Sequence, residues 1–110
     1  MALKYQKIRQ TPTFITAYSS LRERLRKCSP LAYFALPTAM LTILDVIDRH
    51  PKAWPVKRKV LGGVESEFHL AITAIAYRRL HVRYYVDAEE VSHLLAVWVD
   101  GQDEPQYSMN

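Results

Sequence analysis

His69, His81, Arg83 and Tyr85 are the side chains of this 110-residue chain whose types and spacing best suit chemistry. An imidazole takes or gives a proton near neutral pH. A guanidinium supplies fixed positive charge for an anionic intermediate, and a phenol supplies a hydroxyl. His81, Arg83 and Tyr85 alternate with Val82, Tyr84 and Val86, so a strand of period two puts the first three on one face and the apolar three on the other. Phe68 and Leu70 are expected on the inner face of the neighbouring strand, which places His69 on the outer one. Two histidines and an arginine across adjacent strands make an acid–base set. A solvated strand face carries the same residue types, so the pattern leaves both readings open.

Charge points the same way without deciding it. All 15 Lys and Arg fall in residues 1–83 with five acids, a balance of +10, while residues 84–110 hold six acids and no Lys or Arg. A body this basic suits a polyanionic partner. Lys57-Arg58-Lys59 is the densest basic run, and Arg78 and Arg79 are the further candidates for phosphate contacts. A solvated loop accounts for the run equally well.

Other chemistry is poorly represented. There is no P-loop and no Gly-x-Gly-x-x-Gly motif. His69 and His81 with Glu65 or Glu67 match no standard zinc spacing, so neither metal nor cofactor is expected. One cysteine excludes an internal disulfide, and Cys28 is expected as a buried core thiol at the end of a helical stripe. His50 reads as a helix-closing residue and His93 as a strand residue. Trp54 and Trp98 read as packing residues. The apolar stretch around Leu31 to Met40, interrupted by Pro37, is expected to be too short to span a bilayer. No signal-peptide pattern stands at the N-terminus, so a cytoplasmic protein with no membrane contact is expected.

The elements that must position these residues follow from periodicity. Residues 3–9 suggest an edge strand. Thr11-Pro12 is a helix start, and Phe14, Tyr18, Leu21, Leu25 and Cys28 form one helical stripe. Ser29-Pro30 repeats the signal. Pro37 predicts a short turn before a second helix over about Pro37 to Arg49, with Met40, Ile43, Leu44 and Ile47 buried and His50-Pro51 as its end. Residues 51–63 read as a loop. Glu67–Tyr77 fits a strand better than a helix, and Leu80–Val86 with Val91–Val99 reads as a hairpin. The fold class is α+β in the order β-α-α-β-β-β, a helical hairpin on a twisted antiparallel sheet, in a single domain over 1–110 with a polar tail from Gly101.

Four stretches, in this order, resemble the RelE/ParE superfamily of toxins from toxin–antitoxin pairs. They are Gln10-Thr11-Pro12-Thr13-Phe14, then Val60-Leu61-Gly62-Gly63, then Phe68-His69-Leu70. The fourth is Leu80-His81-Val82-Arg83-Tyr84-Tyr85-Val86-Asp87 with Leu94-Leu95-Ala96-Val97. The resemblance implies a toxin neutralised by an antitoxin, here one with an acidic amphipathic segment. It implies one of two actions: metal-independent mRNA cleavage in the ribosome, or inhibition of DNA gyrase without nuclease activity. For cleavage it implies catalytic roles for His69, His81, Arg83 and Tyr85, with Lys57, Arg58, Lys59, Arg78 and Arg79 holding RNA.

The sequence departs from the nuclease pattern after the last strand. RelE-like nucleases carry Lys and Arg there, whereas this chain reads Val99-Asp100-Gly101-Gln102-Asp103-Glu104, with Tyr107 beyond a gap. Acids at that place repel a scissile phosphate. A non-nuclease toxin or an inactive antitoxin-binding module is therefore the rival expectation. A third reading, an unrelated basic nucleic-acid-binding domain, follows if Glu67–Tyr77 is helical.

Overall fold

The computed structural model describes residues 5–100, apart from the side chains of Lys59 and Leu61. The elements are β1 (Ile8–Gln10), α1 (Pro12–Cys28), α2 (Pro30–Arg49), β2 (Val56–Leu61), β3 (Val64–Ile75), β4 (Arg78–Val86) and β5 (Ser92–Val99). This is the expected α+β arrangement, with helices between the first strand and the rest. The five strands lie in the order β1-β5-β4-β3-β2, and β1 runs parallel to β5 while the other pairs are antiparallel. The expected first strand begins later than residue 3, and Leu3 and Lys4 lie outside the described residues, as does the tail with Asp103, Glu104 and Tyr107.

Thr11 anchors the helical layer to the sheet. Its Oγ1 accepts from the Phe14 N–H at 3.1 Å, capping α1, and donates to the Leu94 carbonyl of β5 at 2.7 Å. Phe14, Leu21 and Leu25 are buried and Tyr18 is half-buried. Cys28 is exposed, contrary to the expected core thiol. A stripe stepping by four and three drifts about 20° per heptad on a straight helix, so two heptads carry Cys28 off the buried face.

Pro37 does not break α2, which corrects the expected turn. The helix runs unbroken for 20 residues with Pro37 inside it. The lost N–H and the ring clash cost about 3 kcal/mol in a helix interior. Against this, Ala32 and Leu36 in the preceding turns are buried on the sheet, and full burial of one such leucine returns about 1.5–3 kcal/mol. The uninterrupted helix is long and apolar enough by composition to cross a bilayer, which corrects the length expectation. Its Ala32, Leu36, Ala39, Met40, Ile43 and Ile47 instead join Phe14, Leu21 and Leu25 over Ala71, Ile75, Leu80, Val82, Tyr84, Leu94, Val97 and Val99 in one core.

The expected loop over 51–63 contains a strand. β2 carries the whole basic run and pairs antiparallel with β3, Lys57 opposite Phe68 and Lys59 opposite Ser66. Gly62 and Gly63, at φ +59° and +83°, make the two-residue turn. Such a turn needs two left-handed residues and matches the strand twist, so Gly-Gly between two valine-containing runs is itself a hairpin signal.

Candidate functional site

The register across β3, β4 and β5 decides which side chains meet. Leu70 lies opposite Arg83 and Ile72 opposite His81 on β3–β4; Arg83 lies opposite Ala96, His81 opposite Trp98 and Tyr85 opposite His93 on β4–β5. These residues share the face away from the helical core. The register shifts between Arg83 and Tyr84 because Leu95 is the extra residue of a bulge. Phe68, Leu95, Ala96 and Trp98 are buried but lie outside the core beneath the helices.

Arg83 stands at the middle of this helix-free face, only 2 % exposed. Its guanidinium carbon lies 5.0 Å from the centre of the Phe68 ring and 5.3 Å from that of Trp98. Aromatic faces attract a guanidinium through their quadrupole, more strongly where water is excluded. His81 is stacked on Trp98, with centroids 5.1 Å apart and planes 3° from parallel. Its Nε2–H donates to Asp100 Oδ1 at 2.8 Å, and Arg79 Nε donates to Asp100 Oδ2 at 2.9 Å. Those two hydrogen bonds, that of His81 foremost, hold the Asp100 carboxyl below its usual range. The remaining ring nitrogen, His81 Nδ1, is buried with no hydrogen-bond partner among the described residues.

A second histidine–carboxylate pair lies four residues further along β4. His93 is stacked on Tyr85 at 4.6 Å, and its Nε2–H donates to Asp87 Oδ2 at 2.8 Å. Asp87 Oδ1 also accepts from the backbone N–H groups of Glu89 and Val91. The His93 bond first, and then these N–H groups, hold the Asp87 carboxyl below its usual range. His93 is more exposed than His81, and Arg9 of β1 is in register with it. The two imidazoles sit on neighbouring strands about 13 Å apart along the strand direction, too far to serve one phosphate together. The sequence reading of His93 as a strand residue missed this pair. The signal was Asp87 six residues before His93 across a short turn.

His69 is not on this face, which corrects the expected acid–base set. It pairs with Tyr84, stacks on that ring at 5.2 Å and is 7 % exposed on the helix side. Its Nδ1–H donates to the Trp54 carbonyl at 2.6 Å, and Tyr84 Oη donates to the Pro51 carbonyl at 2.6 Å. Burial pushes the Tyr84 hydroxyl up to about 12. His69 and Tyr84 thus fasten the 50–55 segment to the sheet. The alternation on β3 is inverted because Ala71 and Ile75, rather than Phe68 and Leu70, face the helices. His69 and His81, on opposite faces, cannot share a metal ion.

The basic residues do not form one patch. Lys57 is on the helix-free face, whereas Arg58 is on the other, with its guanidinium on Glu67 at 2.8 Å. Lys57 pairs with Phe68 and Arg79 pairs with Ala74, six residues or about 20 Å apart along β3. Arg79 is taken up by Asp100, and Arg78 sits beside the β3–β4 turn.

Compared with protein-family models, with curated proteins and with solved structures, the chain matches none.

Proposed function

We propose that this chain is a toxin of the RelE/ParE kind that acts by binding its target, as the gyrase-inhibiting members do, rather than by cleaving RNA at His81. The observation that carries the reading is the state of the two groups that would do the cleaving. Arg83 is buried between Phe68 and Trp98, and His81 has Nε2 on Asp100 and Nδ1 buried. A general base must reach the proton that it abstracts, and a phosphate-stabilising cation must reach the phosphate. Both groups instead hold the sheet face together.

The acids after β5 fit this reading. Asp100 neutralises Arg79 and orients His81, where a nuclease of this kind needs uncompensated positive charge. The partner is an antitoxin with an acidic amphipathic segment, drawn to exposed Lys57, Arg22 and Arg24. The reading as an unrelated nucleic-acid binder loses its premise, since residues 67–75 form part of strand β3.

One observation favours a nuclease reading of a different site. His93, oriented by Asp87 and stacked on Tyr85, is the accessible imidazole of the face, with Arg9 beside it. Controlled expression in a bacterial host, with growth followed and transcript 5′ ends mapped, separates the two. Arrest without new 5′ ends is expected. New ends that vanish in His93→Ala would move the activity to the His93 pair.

A further inference from the structure

One sheet face has no helix over it, yet a band across it is buried. Trp98 of β5 is 5 % exposed, Arg83 of β4 2 % and Phe68 of β3 6 %. By the strand register each lies one strand over, and about two residues further along, than the one before. Off the band the same face is open: Ile72 is 37 % exposed, and Ala74 is exposed too. A sheet face that nothing covers is solvated, so a narrow segment must lie along the band. Among the described residues none does. The helices pack on the other face, where His69 and Tyr84 also fasten the 50–55 segment.

We propose that the chain's own segment 101–110 is this cover, a strap that runs from Asp100 diagonally over Trp98, Arg83 and Phe68. The starting point fits, because Asp100 is bound to His81, which is stacked on Trp98. The length fits. With strands ~4.8 Å apart and ~3.3 Å per residue, the path from Asp100 to Phe68 is about 23 Å, which an extended chain covers in about seven residues. That brings Tyr107 to the Phe68 end of the band.

The chemistry fits as well. Asp103 and Glu104 come about 10–13 Å along the path, near the level of Arg83, and a buried guanidinium is normally paired with a carboxylate. Tyr107 and Met109 alternate with Gln106 and Ser108, so an extended segment turns both apolar side chains to one side. Residues 1–4 fit less well. They contain no acid, and they lead into Tyr5, whose hydroxyl donates to Asp45 of α2 on the helix side. The strap is independent of the toxin reading, since it rests on burial rather than on action.

Paramagnetic relaxation on the full chain tests it. Cys28→Ser removes the exposed thiol, and Ser108→Cys takes a nitroxide label. The amide signals of Phe68 and Arg83 are expected to broaden, while those of Leu31 and Leu41 on the outer side of α2 stay sharp. Asp103→Lys with Glu104→Lys in the same chain is expected to reduce that broadening severalfold. No broadening at Phe68 and Arg83 overturns the proposal, as does equal broadening at all four residues or broadening untouched by the charge reversal. Broadening seen only between a nitroxide-labelled chain and a separate isotope-labelled chain also overturns it and gives the face to a second copy.

Discussion

The Arg83 guanidinium lies over the Phe68 ring at 5.0 Å, with Trp98 at 5.3 Å as a second aromatic neighbour. A residue whose spacing suggests anion chemistry is thereby a packing element of the sheet. The planar guanidinium suits two ring faces in a way that a tetrahedral ammonium does not. Arg83→Lys is therefore expected to lower stability by about 1–3 kcal/mol, the loss of two partly desolvated cation–π contacts. Urea denaturation measures it, and an unchanged midpoint would mean that the rings do not hold the charge.

Asp100 makes the face sensitive to acid. Its folded-state carboxyl is depressed by His81 and then by Arg79. Its contribution is therefore complete above the ordinary carboxylate range, near pH 4, and is lost as pH falls through the lower folded value. Asp87 behaves alike through His93 and the Val91 and Glu89 N–H groups. Asp100→Asn should flatten the fall of melting temperature below about pH 4, while leaving the Asp87 part intact. A wild-type melting temperature independent of pH in that range would contradict both assignments.

Pro37 sits inside a continuous helix and has no N–H of its own to give the Tyr33 carbonyl. Pro37→Ala restores the donor and removes the ring clash, a gain of up to about 3 kcal/mol, less about 1 kcal/mol for the freer unfolded chain. A net stabilisation of roughly 2 kcal/mol is expected. If a turn preceded Pro37, as its position in the sequence suggests, the same substitution would destabilise the protein.

Gly63 holds φ +83°, and a Cβ built there meets nothing within 4 Å. Gly63→Ala is therefore expected to cost about 1–2 kcal/mol through backbone strain alone, read as a lower melting temperature with the β2–β3 pairing preserved in amide exchange.

Where the sequence was legible, one physical signal dominated. The Thr11-Pro12 cap, the Phe14 to Leu25 stripe and the β4–β5 hairpin all follow from local rules. Pro37 reads as a break because its local cost is real, and burial of Ala32 and Leu36 on the sheet offsets that cost. Periodicity gives the wrong face for His69 because the more apolar set on β3, Phe68, Leu70 and Ile72, lies on the helix-free face, while Ala71 and Ile75 face the helices. The choice was available from the turn: Ala76-Tyr77 as a two-residue connection sets Ile75 opposite Arg78, which aligns His69 with Tyr84 and sends it to the helix side. His93 was missed because its partner Asp87 belongs to the turn, and only the folded hairpin returns the carboxylate to the imidazole.

A chain that acts by binding its target, as proposed, needs no chemistry at His81, and His81→Gln tests this. The amide keeps a donor for Asp100 but cannot act as an acid–base group. Wild-type and variant chains would be expressed side by side at matched, folded levels, with growth and transcript 5′ ends recorded. Equal arrest and no new ends are expected in both. Codon-phased cuts in the wild type that disappear in His81→Gln, with arrest relieved, would contradict it and make His81 a catalytic residue.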